Sequence, residues 1–240
     1  MLLSVQLYTV RDCMNVDAPG TLARLRQMGF ECVELAGTYG LRATDFRAML
    51  DSAGLAVSGS HLGLDALEAD IRAVIADHQA LGCRRVILPW ISNETYADGW
   101  RAFGQRLEPI ADQLADSGIE FAYHNHAFEF EGGGLGELFE TTSIRVNAQL
   151  DLGWVHYAGE SPADWVRRLG KRVTTVHLKD MTADRDSWDC VAGTGTVDWD
   201  SALSACREAG VQVGVIEMDV APGDPLESVE KCLRFFESRA

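Results

Sequence analysis

Several short apolar runs in this chain stop on an acid, an imidazole or an amine. Residues 32–35 hold Glu34, and residues 56–61 end on His61. Residues 119–124 lead into His124-Asn125-His126, and residues 146–151 end on Asp151. Residues 173–179 end in His177-Leu178-Lys179, and residues 213–217 end on Glu217. Packing alone gives apolar runs no reason to end this way, because charged side chains rarely enter a core unpaired. Strand alternation refines the pattern. A period of two puts Thr175, His177 and Lys179 on one face, with Val176 and Leu178 on the other. It likewise groups Asn147, Gln149 and Asp151, and pairs His124 with His126. With the apolar faces turned to helices, the polar faces point to a shared interior. Carboxylates and imidazoles converging there make a site for one divalent cation, Mn²⁺, Co²⁺, Zn²⁺ or Mg²⁺, with positions open to substrate oxygens.

The elements that must position these residues alternate along the chain. Short β-branched runs at 3–7, 32–35, 56–61, 85–89, 119–124, 146–151, 173–179 and 213–217 predict eight strands. Helical periodicity fills 18–28, 43–53, 65–81, 95–117, 134–142, 161–169, 198–209 and 224–237. Ala18-Pro19 and Ser161-Pro162 suit helix starts, where proline forfeits no helical bond. Gly29, Gly54, Gly82, Gly118, Gly170 and Gly210 stand between a helix and the next strand, as C-caps do. Eight β/α units with right-handed crossovers predict a single-domain α/β fold over residues 1–240, a (β/α)8 TIM barrel. The competing doubly wound sheet lacks a GxGxxG after the first strand. In the barrel, catalytic groups belong at the C-terminal strand ends, where the acids and imidazoles fall.

Composition narrows the partners. The 240 residues carry 36 acids against 21 Lys and Arg, a formal charge of −15. That field repels phosphodiester backbones and anionic membranes, so neither nucleic acid nor membrane is the expected partner. No apolar run is long enough to span a bilayer, and the opening residues lack the basic start of a secretory signal. Cys13, Cys32, Cys83, Cys190, Cys206 and Cys232 form no CxxC pair, which predicts idle thiols in a reducing cytoplasm.

Other residues have plainer readings. His78, inside a helical run, is expected at the surface. His156 is expected to be structural, and Glu129 and Glu131 to be loop charges. Asp151 also suits a helix N-cap, and Glu217 a buried lysine. Gly193-Thr194-Gly195 follows the seventh strand, where backbone N–H groups can meet a phosphate or a sugar.

Taken together these stretches resemble the xylose isomerase-like barrel superfamily, the sugar phosphate isomerase/epimerase group that includes endonuclease IV and inosose dehydratase. The resemblance rests on Tyr123-His124-Asn125-His126, Leu150-Asp151-Leu152-Gly153-Trp154, Val176-His177-Leu178-Lys179-Asp180 and Ile216-Glu217-Met218-Asp219. Further matches are residues 5–12, residues 29–35, Ser60-His61-Leu62 and residues 193–199. It implies one divalent metal held by His124, Asp151, His177 and Glu217. It also implies proton abstraction beside the carbonyl of a sugar, phosphorylated or not, through a metal-stabilised enediolate. The outcome is isomerisation or epimerisation, or else dehydration or elimination. The epimerases place a glutamate where this chain has His124, so the His-x-His strand stands closer to the inosose-dehydratase-like branch.

The expected catalytic residues are Glu217, His124, His126 and Lys179. Glu34 and His61 are expected to hold distal hydroxyls, Trp154 to wall the sugar ring, and Gly193 and Gly195 to meet substrate. The expected partner is a small sugar or keto-sugar, with homo-oligomers implied by the resemblance alone. An endonuclease IV-like repair enzyme would need a basic groove, which the charge of −15 disfavours. A non-catalytic carbohydrate-binding barrel would bind sugar without regard to chelation.

Overall fold

The computed structural model describes residues 1–184 and 188–239. Eight parallel strands close into a barrel: β1 (Leu2–Gln6), β2 (Cys32–Leu35), β3 (Ala56–His61), β4 (Arg85–Leu88), β5 (Glu120–His124), β6 (Val146–Asp151), β7 (Val173–Leu178) and β8 (Val213–Ile216). Each strand pairs with its neighbours in sequence, and β8 closes on β1 through Leu2↔Val213 to Val5↔Ile216. The predicted strands are all present, with ends shifted by at most a residue or two.

The helices follow local chemistry. The first spans Arg11–Met28 but breaks at Asp17, whose φ is −150°. Asp17 Oδ1 accepts the Gly20 N–H at 3.0 Å, so the segment opened by Ala18-Pro19 starts there as expected. The predicted helix over 65–81 is two helices, Leu64–Ala69 and Ile71–Leu81. Asp70 ends the first and caps the second through the N–H groups of Arg72 and Ala73. Gly54, Gly82 and Gly210 take the left-handed cap conformation. Two features add to the alternating units. One is a short helix, Leu152–Tyr157, which Asp151 caps directly after β6. The other is an antiparallel hairpin pairing Asp180–Met181 with Asp189–Cys190 after β7. No helix among the described residues is long and apolar enough to cross a membrane.

The core follows strand alternation. Val5, Val33, Leu150, Val176 and Leu178 are buried in the layer between strands and helices. Between them Ser4, Gln6, Glu34, Gln149, Thr175 and His177 are equally buried but polar. The barrel interior is therefore a hydrogen-bonded column, with Ser4 against Ser58 near its base. Two register shifts shape it, one between Val33 and Glu34 against β3 and one between Ala148 and Gln149 against β7. Such irregularities re-aim a side chain. Here they bring Glu34 and Gln149 together, and Gly59 leaves the room: a Cβ there would lie 2.9 Å from Glu34 Oε2.

Candidate active site

The strand ends deliver an ionic cluster to the C-terminal mouth. Register places Asp151 beside His177 and His124 beside Gln149. One ligand-capable atom from each of His124, Asp151, His177 and Glu217 lies within 4.8 Å of the others, and all four residues are buried. The four expected ligands are thus brought together.

The surrounding hydrogen bonds decide which atom of each residue is free. His177 Nε2 lies 2.6 Å from Glu34 Oε1, so its N–H donates there and Nδ1 turns to Glu217 Oε2 at 2.8 Å and Asp151 Oδ2 at 3.8 Å. His124 Nδ1 donates to Gln149 Oε1 at 3.1 Å, leaving Nε2 facing Asp151 Oδ2 at 3.9 Å. Glu34 is held in turn by Gln6 Nε2 at 2.9 Å and Gln149 Nε2 at 2.6 Å. Asp151 divides its two oxygens. Oδ1 caps the following helix by accepting the Trp154 N–H at 2.9 Å, while Oδ2 is buried with no hydrogen-bond partner. The cap expected of Asp151 and its place in the cluster are therefore both real.

The charge balance is uneven. Glu34, Asp151, Asp189, Glu217 and Asp219 surround Lys179 and His177. Lys179 is fully buried, with Nζ at 2.5 Å from Asp219, 3.1 Å from Glu217 and 3.5 Å from Asp151. Burial opposes charge on Lys179, but these carboxylates hold its pKa well above the usual value. Burial also opposes a charged His177, yet Glu217 and Glu34 raise it to about 10. Burial raises Asp151 to about 6, with Lys179 and His177 pulling the other way, and raises Asp189 to about 7. Glu217 resists its burial because Lys179 and His177 keep it well below the carboxylate range. Buried carboxylates in excess need a cation or a proton. The Asp151 Oδ2 without a hydrogen bond, the His124 Nε2 lone pair freed by donation from Nδ1, and the surplus negative charge fit a divalent metal, which would replace the proton that His177 Nδ1 gives to Glu217.

His126 stands apart. Its ring packs on Phe128 at 6.1 Å, on Trp154 at 5.4 Å and on His124 at 5.1 Å. Burial first, then Lys179, lowers its pKa to about 4, so the imidazole is neutral near pH 7. It lines a cavity of about 480 Å³ at the barrel mouth, along with His61, His124, Glu217 and Asp219. His61 also donates to Gln149 Oε1 at 2.8 Å.

Several expectations are corrected. Glu34, expected on substrate hydroxyls, is 1 % exposed, and both its oxygens are engaged by protein donors. The N–H groups of Gly193 and Gly195, expected to meet substrate, donate to Asp180 Oδ2 at 2.8 and 3.1 Å. A Cβ on Gly195 would lie 2.2 Å from Asp180 Oδ1, so glycine there serves the carboxylate's close approach. Trp154 stands behind His126 and against Trp188, off the cavity wall. His78 is buried, with Nδ1 bonded to the Val74 carbonyl at 2.7 Å. Glu129 is fully buried and accepts from Tyr123 Oη and the His126 N–H, both at 2.9 Å, whereas Glu131 is exposed. His156 bonds Thr196 Oγ1 at 2.9 Å, a structural contact as expected. Gln6, Asp189 and Asp219 belong to the site although they had no assigned role. Gln6 alternates with Val5 and Leu7, and Asp219 stands in the Ile216-Glu217-Met218-Asp219 stretch, whereas Asp189 carries no such signal.

Known proteins resemble this chain in sequence and in fold. The rhizopine catabolism protein MocC of Rhizobium meliloti is 26 % identical over 186 residues, covering 68 % of this chain and 57 % of that protein. An inosose dehydratase of Clostridium beijerinckii is 23 % identical over 166 residues, covering 58 % and 54 %. The chain thus spans about half the length of the curated relatives it matches. Among solved structures, a sugar phosphate isomerase/epimerase from Parabacteroides distasonis superposes with a TM-score of 0.85 at 20 % identity, covering 98 % of this chain and 93 % of that one. An L-ribulose 3-epimerase gives a TM-score of 0.72 at 14 % identity, with 98 % and 93 % covered. Residues 22–239, which hold every member of the ionic cluster except Gln6, match the family described as xylose isomerase-like TIM barrel, and to that family the chain belongs.

Proposed function

We propose that this chain is a divalent-metal-dependent enzyme that removes the proton next to the carbonyl of a keto-sugar. The observation carrying this reading is Asp151 Oδ2, buried without a hydrogen bond among His124, His177 and Glu217, with the Lys179 ammonium 3.5 Å away. His124 Nε2, Asp151 Oδ2, His177 Nδ1 and a Glu217 oxygen would hold Mn²⁺, Co²⁺, Zn²⁺ or Mg²⁺. When bound, the cation supplies Lewis-acid polarisation of a carbonyl.

The residues of the chain do the rest. Glu34 and Gln149 fix the tautomers of His177 and His124 by accepting their outer N–H groups. His126, neutral and on the cavity wall, is the proton acceptor. The C–H electron pair moves into the new carbon–carbon double bond, and the proton goes to the imidazole. Lys179, fully buried behind the cavity wall, holds Glu217 and Asp219 in place through its ammonium group. Returning the proton to the neighbouring carbon, while the hydroxyl proton passes to the other oxygen, isomerises the sugar, and a solvent proton taken up on the opposite face epimerises it.

Strand five favours a second exit. It presents imidazoles rather than the glutamate that the epimerases use. That suits expulsion of a β-oxygen, with the newly protonated imidazole of His126 acting as the acid. Relatives named inosose dehydratase agree with that exit. The test is NMR in D₂O on the chelated chain and on the chain loaded with each of the four metals, against a panel of keto-sugars. Deuterium entering beside the carbonyl only in loaded samples supports the reading. Exchange that survives chelation, or no exchange with any metal, overturns it. Release of water or alcohol with exchange selects the elimination.

A further inference from the structure

The cavity has two unlike walls. The ionic wall comes from the ends of β5 and β8. The opposite wall comes from the ends of β1 to β4 and carries Tyr8, Leu62, Pro89 and Trp90. Tyr8 is 43 % exposed and Trp90 58 % exposed, and both line the same hollow. Aromatic rings left in water beside a catalytic cluster are suited to cover a flat ligand face.

This wall is built rather than loose. The Tyr8 N–H donates to Gln6 Oε1 at 3.1 Å, tying it to the column beneath. The Arg11 guanidinium lies 4.1 Å from the Tyr8 ring centroid and donates to the carbonyls of Tyr8 and Asp219. Gly63 lines the hollow. Its φ of −66° is one any residue adopts, and a Cβ there would meet nothing within 4 Å.

The wall is also short of positive charge. Among the described residues no lysine or arginine lines the cavity. Arg11 is engaged by two carbonyls, Lys179 is enclosed by carboxylates, and the glycine-loop N–H groups hold Asp180. Glu217 and Asp219 face the cavity and repel an anion.

Building on the keto-sugar reading above, we infer that the β1–β4 wall is a subsite for an uncharged flat ring attached to the keto-sugar. The substrate is then a keto-glycoside, not a free or phosphorylated keto-sugar. An aromatic aglycone and the C–H face of a second pyranose share the chemistry that Trp90 and Tyr8 recognise.

Calorimetric titration of the Mn²⁺-loaded full chain tests this. The ligands are the methyl, phenyl and glucosyl glycosides of one keto-glucopyranose and the 6-phosphate of the methyl glycoside. The phenyl or glucosyl glycoside is expected to bind about tenfold tighter than the methyl one. Trp90→Ala removes the advantage and Trp90→Phe restores most of it. The phosphate binds more weakly than the methyl glycoside. The stronger of the phenyl and glucosyl ligands identifies the ring. Equal binding of the three glycosides, an advantage that survives Trp90→Ala, or tightest binding of the phosphate overturns the subsite. So does a failure of all four to bind. Failure of the catalytic reading looks different: no Mn²⁺ uptake, or no proton exchange, with the phenyl preference intact.

Discussion

The two arcs of the barrel mouth repeat one β/α unit yet end in opposite surfaces. From β5 to β8 the strand ends carry His124, Asp151, His177 and Glu217, all at most 5 % exposed. From β1 to β4 they carry Tyr8, Leu62, Pro89 and Trp90 around open space. Glu34 and His61 come from the second arc but reach under it to the first. In the ionic arc Lys179 and His177 face Asp151, Glu217 and Glu34, while Asp151 Oδ2 and Asp189 Oδ1 are buried without a hydrogen bond. The apolar arc stays open because nothing among the described residues covers its rings. The contrast separates a half dense in buried charge from a half whose rings stand in solvent.

The sharpest way to break this contrast is Asp151→Asn. Asparagine keeps a cap oxygen for the Trp154 N–H but replaces the free carboxylate oxygen. Mn²⁺ affinity should fall more than about hundredfold, read by titration, with thermal stability of the metal-free chain maintained. If affinity is unaffected, the ionic arc is not a metal centre.

Glu129→Gln probes the cost of burying a carboxylate under that arc. Burial raises Glu129 to about 7, above its ordinary 4.5, so the folded state holds a proton that the unfolded state has released. Stability is then full below about pH 4.5 and declines as pH rises through 7. The variant mimics the protonated form and should lose this decline. Urea unfolding at pH 5 and pH 8 should show a difference between the two chains that changes by at most about 3 kcal/mol. Parallel pH profiles would show Glu129 to be ionised alike in both states.

Glu34→Gln tests whether the reach from β2 matters to the cation. Weakening the acceptor of His177 Nε2–H should lower Mn²⁺ affinity by about 10- to 100-fold. The smallest effect belongs to the open arc. Trp90→Ala should leave the unfolding free energy within about 0.5 kcal/mol, because the ring is mostly in solvent. A larger loss in urea unfolding would mean that this wall is structural.

Much of the site was legible before the fold. His124, Asp151, His177, Lys179 and Glu217 end apolar runs, and alternation turned the first four inward. The remainder was hidden for specific reasons. Glu34 meets His177 across 143 residues of sequence, and no local pattern records that distance. Glu129 sits between Phe128 and Phe130 in a turn, and Tyr123 Oη buries it. Gly193 and Gly195 match an anion-binding loop, but the anion is the chain's own Asp180. His78 keeps helical period yet faces inward, bonded to Val74.

The sequence by itself determined the eight strands, the helices between them and the residue types at the strand ends. Those depend on alternation, caps and turns that act over a few neighbouring residues. Only the closed barrel decided which oxygen of Asp151 is free, which nitrogen of each histidine faces the cluster, and which carboxylates are already engaged. Those depend on partners from distant strands, and only closure sets their distances.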